Sequence, residues 1–300
     1  MSWKVFAELV ELKAKTASVF PFILGMAYSW YHYQQVYLGN MVFFFIAMVL
    51  FNMAVDILDN YMDYHNATDV HDYKDETNII GRERLSLRLV RNLMVGFIFV
   101  SAVMGIYLAS QTSWVILWLG IISYSVGIFY SAGPKPLSSM PVGEVASGLA
   151  MGFVIPLICV YLNIYDVAPF TWQLAGQVLL MSLPAVFAIA NLMLANNTCD
   201  LEEDVLNNRH TLVFYIGKKG AIRLFWFLSL TPFIVITVAV TGGLVPWTVL
   251  GLWLIFPIIW KNTVAFSKRQ VKLETFPLAI KNLALTVMLY ALLFVIGVIV

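Results

Sequence analysis

This sequence contains few charged residues. Asp, Glu, Lys and Arg make up 12% of its 300 residues, whereas soluble globular domains carry about 25%. Hydrophobic residues make up 61%, so the polar side chains are too few to cover the surface of a folded domain. The composition therefore excludes an ordinary soluble protein and predicts a surface that largely contacts lipid.

Cysteine is also scarce, since the chain has only Cys159 and Cys199. Their spacing fits neither a disulfide framework nor a redox or zinc motif. The net charge of +1 provides no argument for a nucleic-acid partner. Residues 1–15 lack an uninterrupted apolar stretch followed by a small-residue cleavage site, so we expect no removable signal peptide.

Long apolar runs are abundant, and crossing the hydrocarbon core takes about 20 such residues in a helix. We predict an all-α integral membrane protein, a single transmembrane domain over residues 1–300 with about nine helices. The predicted spans are residues 17–37, 41–60, 93–110, 114–131, 143–163, 175–197, 222–241, 245–260 and 278–299.

The distribution of charge predicts how these spans are oriented. With the N-terminus in the cytoplasm, all 18 Lys and Arg lie in or beside cytoplasmic segments, as the positive-inside rule requires. Of the 17 Asp and Glu, only Asp166 falls in an external loop. We therefore expect a multi-pass protein of the cell membrane, with cytoplasmic active-site loops and an external C-terminus.

A first set of polar residues begins inside the second span. Asn52, Asp56, Asp59 and Asp63 lie at relative positions 0, 4, 7 and 11, which places them on one face of a helix. Ionised groups within a membrane segment usually face a cavity or an ion, and a divalent cation would neutralise the stacked carboxylates. Alternatively, the helix ends early and these carboxylates are solvated.

A second set ends the sixth span with the same spacing: Asn196, Asp200, Glu203 and Asn207, with Asp204 alongside. Two acidic stripes that end helices on the same membrane face predict one central cavity that opens near the cytoplasmic side. Mg²⁺ fits such a cavity best because it binds a few carboxylates while keeping water and phosphate oxygens. Zinc would require more Cys and His.

Basic residues accompany both acidic sets, and together with a metal they would neutralise a diphosphate group. They are Lys74, Arg82, Arg84 and Arg88 after the first set, and Arg209, Lys218 and Lys219 after the second. Alternatively, each of them contacts lipid headgroups. The Pro- and Gly-rich segment 130–144, which includes Lys135 and Glu144, either borders the cavity or merely connects two helices.

These runs together resemble the UbiA superfamily of intramembrane aromatic prenyltransferases, in particular the branch that prenylates 1,4-dihydroxy-2-naphthoate in menaquinone biosynthesis. In the first family motif Asp63 and Asp69 match, whereas Asp59 replaces the usual Asn and Ala67 the usual Gly. The second motif is met by Asn196, Asn197, Asp200, Asp204, Thr211 and Leu212. Cys199 replaces its usual Arg. Lys13-Ala-Lys15-Thr16 is similar to the family's entry helix.

The resemblance implies a set of site residues. Two Mg²⁺ ions would be held by Asp59, Asp63, Asp69, Asn196, Asp200 and Asp204. The diphosphate would contact Asp59, Asn60, Lys74, Asn196, Asn197 and Arg209. Catalytic roles would fall to Asp63, Asp200, Lys135 and Arg82, with Lys135 or a basic residue of 82–91 compensating for the Arg absent at Cys199.

It also implies the substrates, a polyprenyl diphosphate and an aromatic hydroxy acid, with membrane lipid around them. The Asn196-Asn197 pair and the absence of an Arg-Pro-Leu run favour 1,4-dihydroxy-2-naphthoate over 4-hydroxybenzoate; homogentisate is a further alternative. Diphosphate and carbon dioxide would be released. An ion-coupled secondary transporter is an alternative of another class, although the carboxylates cluster at one face rather than at the midplane. A phospholipid-modifying enzyme with one acidic motif is a smaller alternative.

Overall fold

A computed structural model describes residues 1–66 and 76–300. These residues are mainly helical and contain no β-strand. Eight of their helices are long and apolar enough to cross a membrane. They are Leu38–Asn66, Leu87–Gln111, Trp114–Ser131, Gly143–Ile164, Trp172–Cys199, Leu212–Thr241, Trp247–Lys268 and Phe276–Ile299. The prediction of an all-α multi-pass membrane protein is thus confirmed.

The remaining predicted span, residues 17–37, forms helix α2 (Thr16–Tyr33). It has the same length as Trp114–Ser131 but is less apolar, because it contains Pro21 and ends in Tyr31, His32 and Tyr33. The predicted count of nine spans is therefore approximate. The other eight predicted spans each fall on one of the eight apolar helices, and the helices mostly extend a few residues further.

The chain groups into two compact units. The first comprises Met1–Lys15 and Gly39–Pro136, and the second comprises Thr16–Leu38 and Leu137–Val300. We keep the single-domain architecture as a prediction.

The described residues of the first unit form five α-helices, α1 (Trp3–Leu9), α3 (Leu38–Asn66), α4 (Ile79–Arg82), α5 (Leu87–Gln111) and α6 (Trp114–Ser131), and a 3₁₀ helix (Leu12–Lys15). Its core joins the C-terminal half of α3 to α1, α4 and α5 through the buried side chains of Leu9, Val10, Ile57, Ile79, Ile80 and Val90. Phe51 of α3 stacks on Tyr124 of α6 with ring centroids 3.9 Å apart. This packing holds in place the α3 segment that carries the first acidic set.

The second unit begins with α2, and its next membrane span, Gly143–Ile164, has three parts: α7 (Gly143–Leu149), a π-helical turn (Ala150–Val154) and α8 (Ile155–Ile164). Helices α2 and α8 approach closely at Gly25, where an added Cβ would lie 2.7 Å from the Cβ of Cys159. Only glycine leaves room for this contact.

Helix α9 (Trp172–Cys199) is contacted by α10 (Leu201–Leu206), α11 (Leu212–Thr241) and α13 (Phe276–Ile299). A 3₁₀ helix (Trp247–Ile255) and α12 (Phe256–Lys268) pack against α11 and α13. The core at the end of α9 includes Leu194 and Ala195, and nearby Phe225 of α11 stacks on Phe266 of α12 at 4.3 Å. The second acidic set therefore starts from a rigidly packed helix.

Candidate functional site

The first acidic set lies on helix α3, as predicted, and a lysine binds it. The ammonium of Lys15 donates to Asn52 Oδ1 at 2.8 Å and forms an ion pair with Asp56. The Lys15 side chain is only 7% exposed. Burial lowers its pKa to about 8, although Glu11 opposes that shift. A buried ammonium thus already occupies the Asn-x-x-x-Asp pair of this helix.

The chain turns at Glu11, between α1 and the segment that carries Lys15. The φ of Glu11 is 45°, in the left-handed region. Non-glycine residues there are strained and tend to occur at functional sites. Desolvation raises the pKa of Glu11, and the nearby Asp59 carboxylate raises it further. Asp59 in turn accepts a 2.6 Å hydrogen bond from the hydroxyl of Ser131 at the end of α6. Lys15, Glu11 and Asp59 therefore form one charged neighbourhood.

Two further predicted residues of this set lie on the same helix. Asp63 is partly buried, one turn beyond Asp59. The side-chain amide of Asn60 donates to the carbonyl oxygens of Asp56, at 3.0 Å, and Leu9, at 3.4 Å. Asn60 therefore helps to attach the end of α1 to α3.

The predicted basic residues of the first unit lie apart from these contacts. Arg82 pairs with Glu8 of α1 at 2.5 Å, a partly exposed ion pair. Lys135 is exposed in the loop after α6. Asp69 and Lys74 lie outside the described residues.

The second acidic set also binds a lysine. Lys272, in the loop between α12 and α13, donates to Asn196 Oδ1 at 2.6 Å and forms an ion pair with Asp200. Its side chain is 44% exposed, and its ammonium lies 5.0 Å from the ring centroid of Phe276. The Asn-x-x-x-Asp pair of the second set thus holds a cation too, this time one that reaches solvent.

The predicted continuous stripe from Asn196 to Asn207 is wrong. Helix α9 ends at Cys199, Asp200 has φ −95° and ψ 7°, and α10 starts at Leu201. The run Asn196-Asn197-Thr198-Cys199-Asp200 consists of weak helix formers, so tertiary contacts can bend the chain there. The bend leaves Glu203 and Asn207 exposed and buries Asp204 instead.

Asp204 is 5% exposed and lies 3.3 Å from Arg209, measured from Oδ1 to Nε. Burial raises its pKa to about 6, although Arg209 opposes that shift. The Arg209 guanidinium also donates to the carbonyl of Ser138 at 3.4 Å. Among the residues that the structure describes, none donates a hydrogen bond to Asp204 Oδ2. A buried carboxylate oxygen without a partner is costly and therefore suits a site that binds a cation.

The Asn197 side chain is buried at the end of α9, 4% exposed. Its amide donates to Glu144 Oε1 of α7 at 2.9 Å, and both side chains are buried. Glu144 Oε2 also lacks a hydrogen-bond partner within residues 1–66 and 76–300. The Asn197–Glu144 pair links the end of α9 to the start of α7, the helix that follows the Pro- and Gly-rich loop.

The oxygen atoms in these contacts are hard ligands of the type that Mg²⁺ prefers. Within residues 1–66 and 76–300, no three His, Cys, Asp or Glu side chains form a metal-binding group. Each set instead offers one amide oxygen and one carboxylate to a lysine. Such a pair fits Mg²⁺, because protein usually supplies this ion with one or two carboxylates while water and phosphate complete its coordination.

The sequence did not indicate the roles of several residues that organise these contacts, namely Lys15, Lys272, Glu8 and Ser131. In the sequence, Lys15 was noted only within the run that is similar to the family's entry helix. Lys272 is separated from Asp200 by 72 residues, so no spacing rule could pair them.

Comparisons with known proteins show which family the chain resembles over most of its length. The model of the UbiA prenyltransferase family matches residues 18–283. A 1,4-dihydroxy-2-naphthoate octaprenyltransferase of Bacillus subtilis (strain 168) is 26% identical over 245 residues, covering 81% of this chain and 76% of that protein. A protein of the same name from Haemophilus influenzae is 22% identical over 303 residues, covering 98% and 94%.

Solved structures share the fold. A UbiA homolog from Archaeoglobus fulgidus bound to GPP and Mg²⁺ has a TM-score of 0.67 at 14% identity, covering 99% of this chain and all of that one. The apo structure of a UbiA homolog from Aeropyrum pernix K1 has a TM-score of 0.70 at 16% identity, with 93% and 96% covered. At these identities the likeness establishes the architecture.

Proposed function

Because the chain belongs to the UbiA prenyltransferase family, we propose that it transfers a polyprenyl chain from polyprenyl diphosphate to 1,4-dihydroxy-2-naphthoate. Diphosphate and carbon dioxide are released, and the product serves menaquinone biosynthesis. Two relatives that carry the name 1,4-dihydroxy-2-naphthoate octaprenyltransferase support this choice of acceptor. A solved homolog bound to GPP and Mg²⁺ supports the choice of donor and metal.

The observation that carries the proposal is the state of the second acidic set. Asn196 and Asp200 already hold an ammonium group, and one buried carboxylate oxygen of neighbouring Asp204 has no hydrogen-bond partner in the described part of the chain. Oxygen ligands that are arranged around a positive charge suit a divalent cation. The same pair of residue types recurs at Asn52 and Asp56.

We assign metal binding, with two Mg²⁺ ions, to Asp59, Asp63, Asp69, Asn196, Asp200 and Asp204. When bound, Mg²⁺ neutralises the negative charge that grows on the departing diphosphate. The proposed diphosphate contacts are Asp59, Asn60, Lys74, Asn196, Asn197 and Arg209, with Lys135 and Arg82 as additional cations. Asp59 and Asn196 belong to both sets, because their oxygen atoms would contact the diphosphate through a bound metal ion.

The chain's own contribution to the reaction is orientation and exclusion of water. The carbon–oxygen bond of the donor breaks, and the electron-rich ring attacks the allylic carbon that results. The carboxyl group at that ring position then leaves as carbon dioxide. Water would capture the allylic cation, so a cavity enclosed by apolar helices favours transfer over hydrolysis.

The direct test uses purified protein in lipid nanodiscs with a polyprenyl diphosphate, Mg²⁺ and 1,4-dihydroxy-2-naphthoate. We expect a prenylated, decarboxylated product by mass spectrometry and none in the presence of EDTA. A protein that moves an ion across proteoliposomes but makes no such product would favour the transporter alternative instead.

Acceptor choice is tested by competition between equal concentrations of 1,4-dihydroxy-2-naphthoate and 4-hydroxybenzoate. We expect mainly the naphthoate product, with some hydroxybenzoate product, because selectivity by apolar fit is often only about 1–3 kcal/mol. A predominance of prenylated hydroxybenzoate would change the acceptor while leaving the metal chemistry intact.

We propose that the protein lies in the cell membrane with its N-terminus and both acidic sets in the cytoplasm. The partition of Lys and Arg supports this orientation. A single cysteine at position 166, in an otherwise cysteine-free protein, should react with an impermeant maleimide in intact cells. A cysteine at exposed position 208 should react only after the membrane is opened, and the reverse pattern would invert the topology.

A further inference from the structure

Lys272 was not among the site residues predicted from the sequence, but it contacts two of them. Its ammonium binds Asn196 and Asp200 together, the two oxygen ligands at the end of α9. The lysine comes from the loop between α12 and α13, so the pairing exists only through the tertiary fold.

The loop that carries Lys272 is organised independently of this pair. Arg269 pairs with Glu274 at 2.8 Å, and the Val271 amide donates to the Thr275 hydroxyl at 2.9 Å. The Lys272 ammonium lies near the Phe276 ring, while 44% of the side chain remains exposed. The ammonium is therefore presented by an ordered loop yet is free to move toward solvent.

The charge of Lys272 could also replace a positive charge that is missing from the second motif. Position 199 is Cys, where the family resemblance places Arg. Two cations act electrostatically on Cys199, namely Lys272 and Lys218. Lys218 is bound to Glu202 through both carboxylate oxygens, at 2.7 and 3.0 Å. Lys272 is instead bound to the proposed metal ligands themselves.

We propose that Lys272 is a diphosphate-binding cation that replaces the missing arginine of the second motif, and that it moves from Asp200 to the donor's diphosphate when Mg²⁺ and donor bind. The inference rests on the proposed function. An ion pair whose lysine side chain is 44% exposed is weak enough to exchange partners, and a flexible ammonium is a suitable phosphate ligand.

This exchange predicts effects of opposite sign when the charge is removed. Without donor, the ammonium competes with a metal ion for Asp200, so Lys272→Met should strengthen metal binding. With donor, the same substitution removes an attraction to the diphosphate and should weaken donor binding. A lysine that merely supported the loop would not produce this reversal.

The test measures two equilibria in nanodisc-embedded protein: Mn²⁺ alone by electron paramagnetic resonance, and a non-hydrolysable geranyl thiolodiphosphate with Mg²⁺ by calorimetry. For Lys272→Met we expect Mn²⁺ to bind severalfold tighter and the thiolodiphosphate about tenfold weaker. Lys272→Arg should bind both within about twofold of wild type. The matched control Lys268→Met, which removes an exposed lysine at the end of α12, should change neither.

Unchanged thiolodiphosphate binding in Lys272→Met would overturn the inference, and so would equal weakening of both ligands. If wild type itself binds no thiolodiphosphate in the presence of Mg²⁺, the proposed function fails. If wild type binds it and Asp200→Ala does not, while Lys272→Met is neutral, the inference alone fails.

If Lys272 replaces the missing arginine, an arginine at position 199 should restore the affinity that is lost in Lys272→Met. Adding Cys199→Arg to Lys272→Met should restore most of the lost thiolodiphosphate affinity. Because Cys199 packs against the α9–α11 core, Cys199→Lys serves as a second version if the arginine variant does not fold. A folded double variant that binds no better than Lys272→Met would contradict the replacement.

Discussion

The two acidic motifs share one spacing but bury opposite charges. In the first, the buried group is the Lys15 ammonium, which pairs with Asp56. In the second, the cation Lys272 reaches solvent, and the buried group is the Asp204 carboxylate. The same Asn-x-x-x-Asp pattern therefore produces two different electrostatic environments.

The difference indicates different tasks. A buried ammonium with two protein ligands holds its helix in one arrangement, whereas an exposed one can leave when another cation arrives. Burial lowers the pKa of Lys15 to about 8 and raises that of Asp204 to about 6. Both shifts arise because burial makes the charged form of the side chain costly in the folded protein. Such shifts are frequent at functional sites.

The largest expected effect comes from removing one carboxylate of each motif. Asp63→Ala and Asp200→Ala should each reduce turnover by more than about 100-fold, because both are proposed metal ligands. The variants should remain folded and inserted, and EDTA should produce the same loss in wild type. Product formation is measured by mass spectrometry.

Asp166→Ala is the matched control for that pair of variants, since Asp166 is exposed and bonds only to the Tyr37 hydroxyl among the contacts described for it. Its turnover should equal that of wild type. Near-normal turnover in Asp63→Ala alone would mean that only the second motif binds metal.

Substituting the two lysines should reduce the stability of the protein by different amounts. Lys15→Met removes an ammonium that is only 7% exposed, and Met offers no hydrogen bond to the oxygen atoms of Asn52 and Asp56 that it leaves behind, so the substitution should cost about 3 kcal/mol of unfolding free energy. Lys272→Met should cost at most about 1 kcal/mol, because the Lys272 side chain is 44% exposed and water can replace its ammonium. Thermal unfolding in detergent measures both, and equal losses would contradict the difference in burial.

The buried carboxylate of the second motif predicts a pH dependence. The pKa of Asp204 is raised, so the unfolded chain loses this proton near pH 4 and the folded protein only near pH 6. Stability therefore falls as pH rises from about 4 to 6, and the full cost persists above that range. Metal-free Asp204→Asn should exceed wild type by about 2 kcal/mol at pH 7 and match it at pH 4.

Exposed Glu203 provides the control for this comparison, since Glu203→Gln changes a neighbouring carboxylate without removing a buried charge. Its stability should follow that of wild type at both values of pH. If the advantage of Asp204→Asn were the same at pH 4, packing rather than charge would be its cause.

The smallest effect is expected at Ser131, which donates to Asp59 in the first motif. Ser131→Ala removes one hydrogen bond to a carboxylate and should cost about 1 kcal/mol of stability. We expect turnover to fall only severalfold, because Asp59 itself remains. A loss as large as that of Asp63→Ala would show that the orientation of Asp59 by Ser131 is essential.

Much of the fold could be predicted from the sequence, because its cause is local. A run of about 20 apolar residues must be helical in lipid, where the backbone has no other hydrogen-bond partner. The eight apolar helices thus coincide with predicted spans. The first acidic stripe was equally predictable, since Asn52 to Asp63 lie within the continuous helix α3.

The tertiary structure decided the rest. It bent the chain at Asp200, buried Asp204 rather than Glu203, and brought Lys15 to Asp56 and Lys272 to Asp200. Local preferences between Asn196 and Asp200 are weak, and ion pairs between residues 41 or 72 positions apart depend on how helices and loops pack. The sequence by itself determined which residues carry charge, and packing determined which charges are buried and what each one binds.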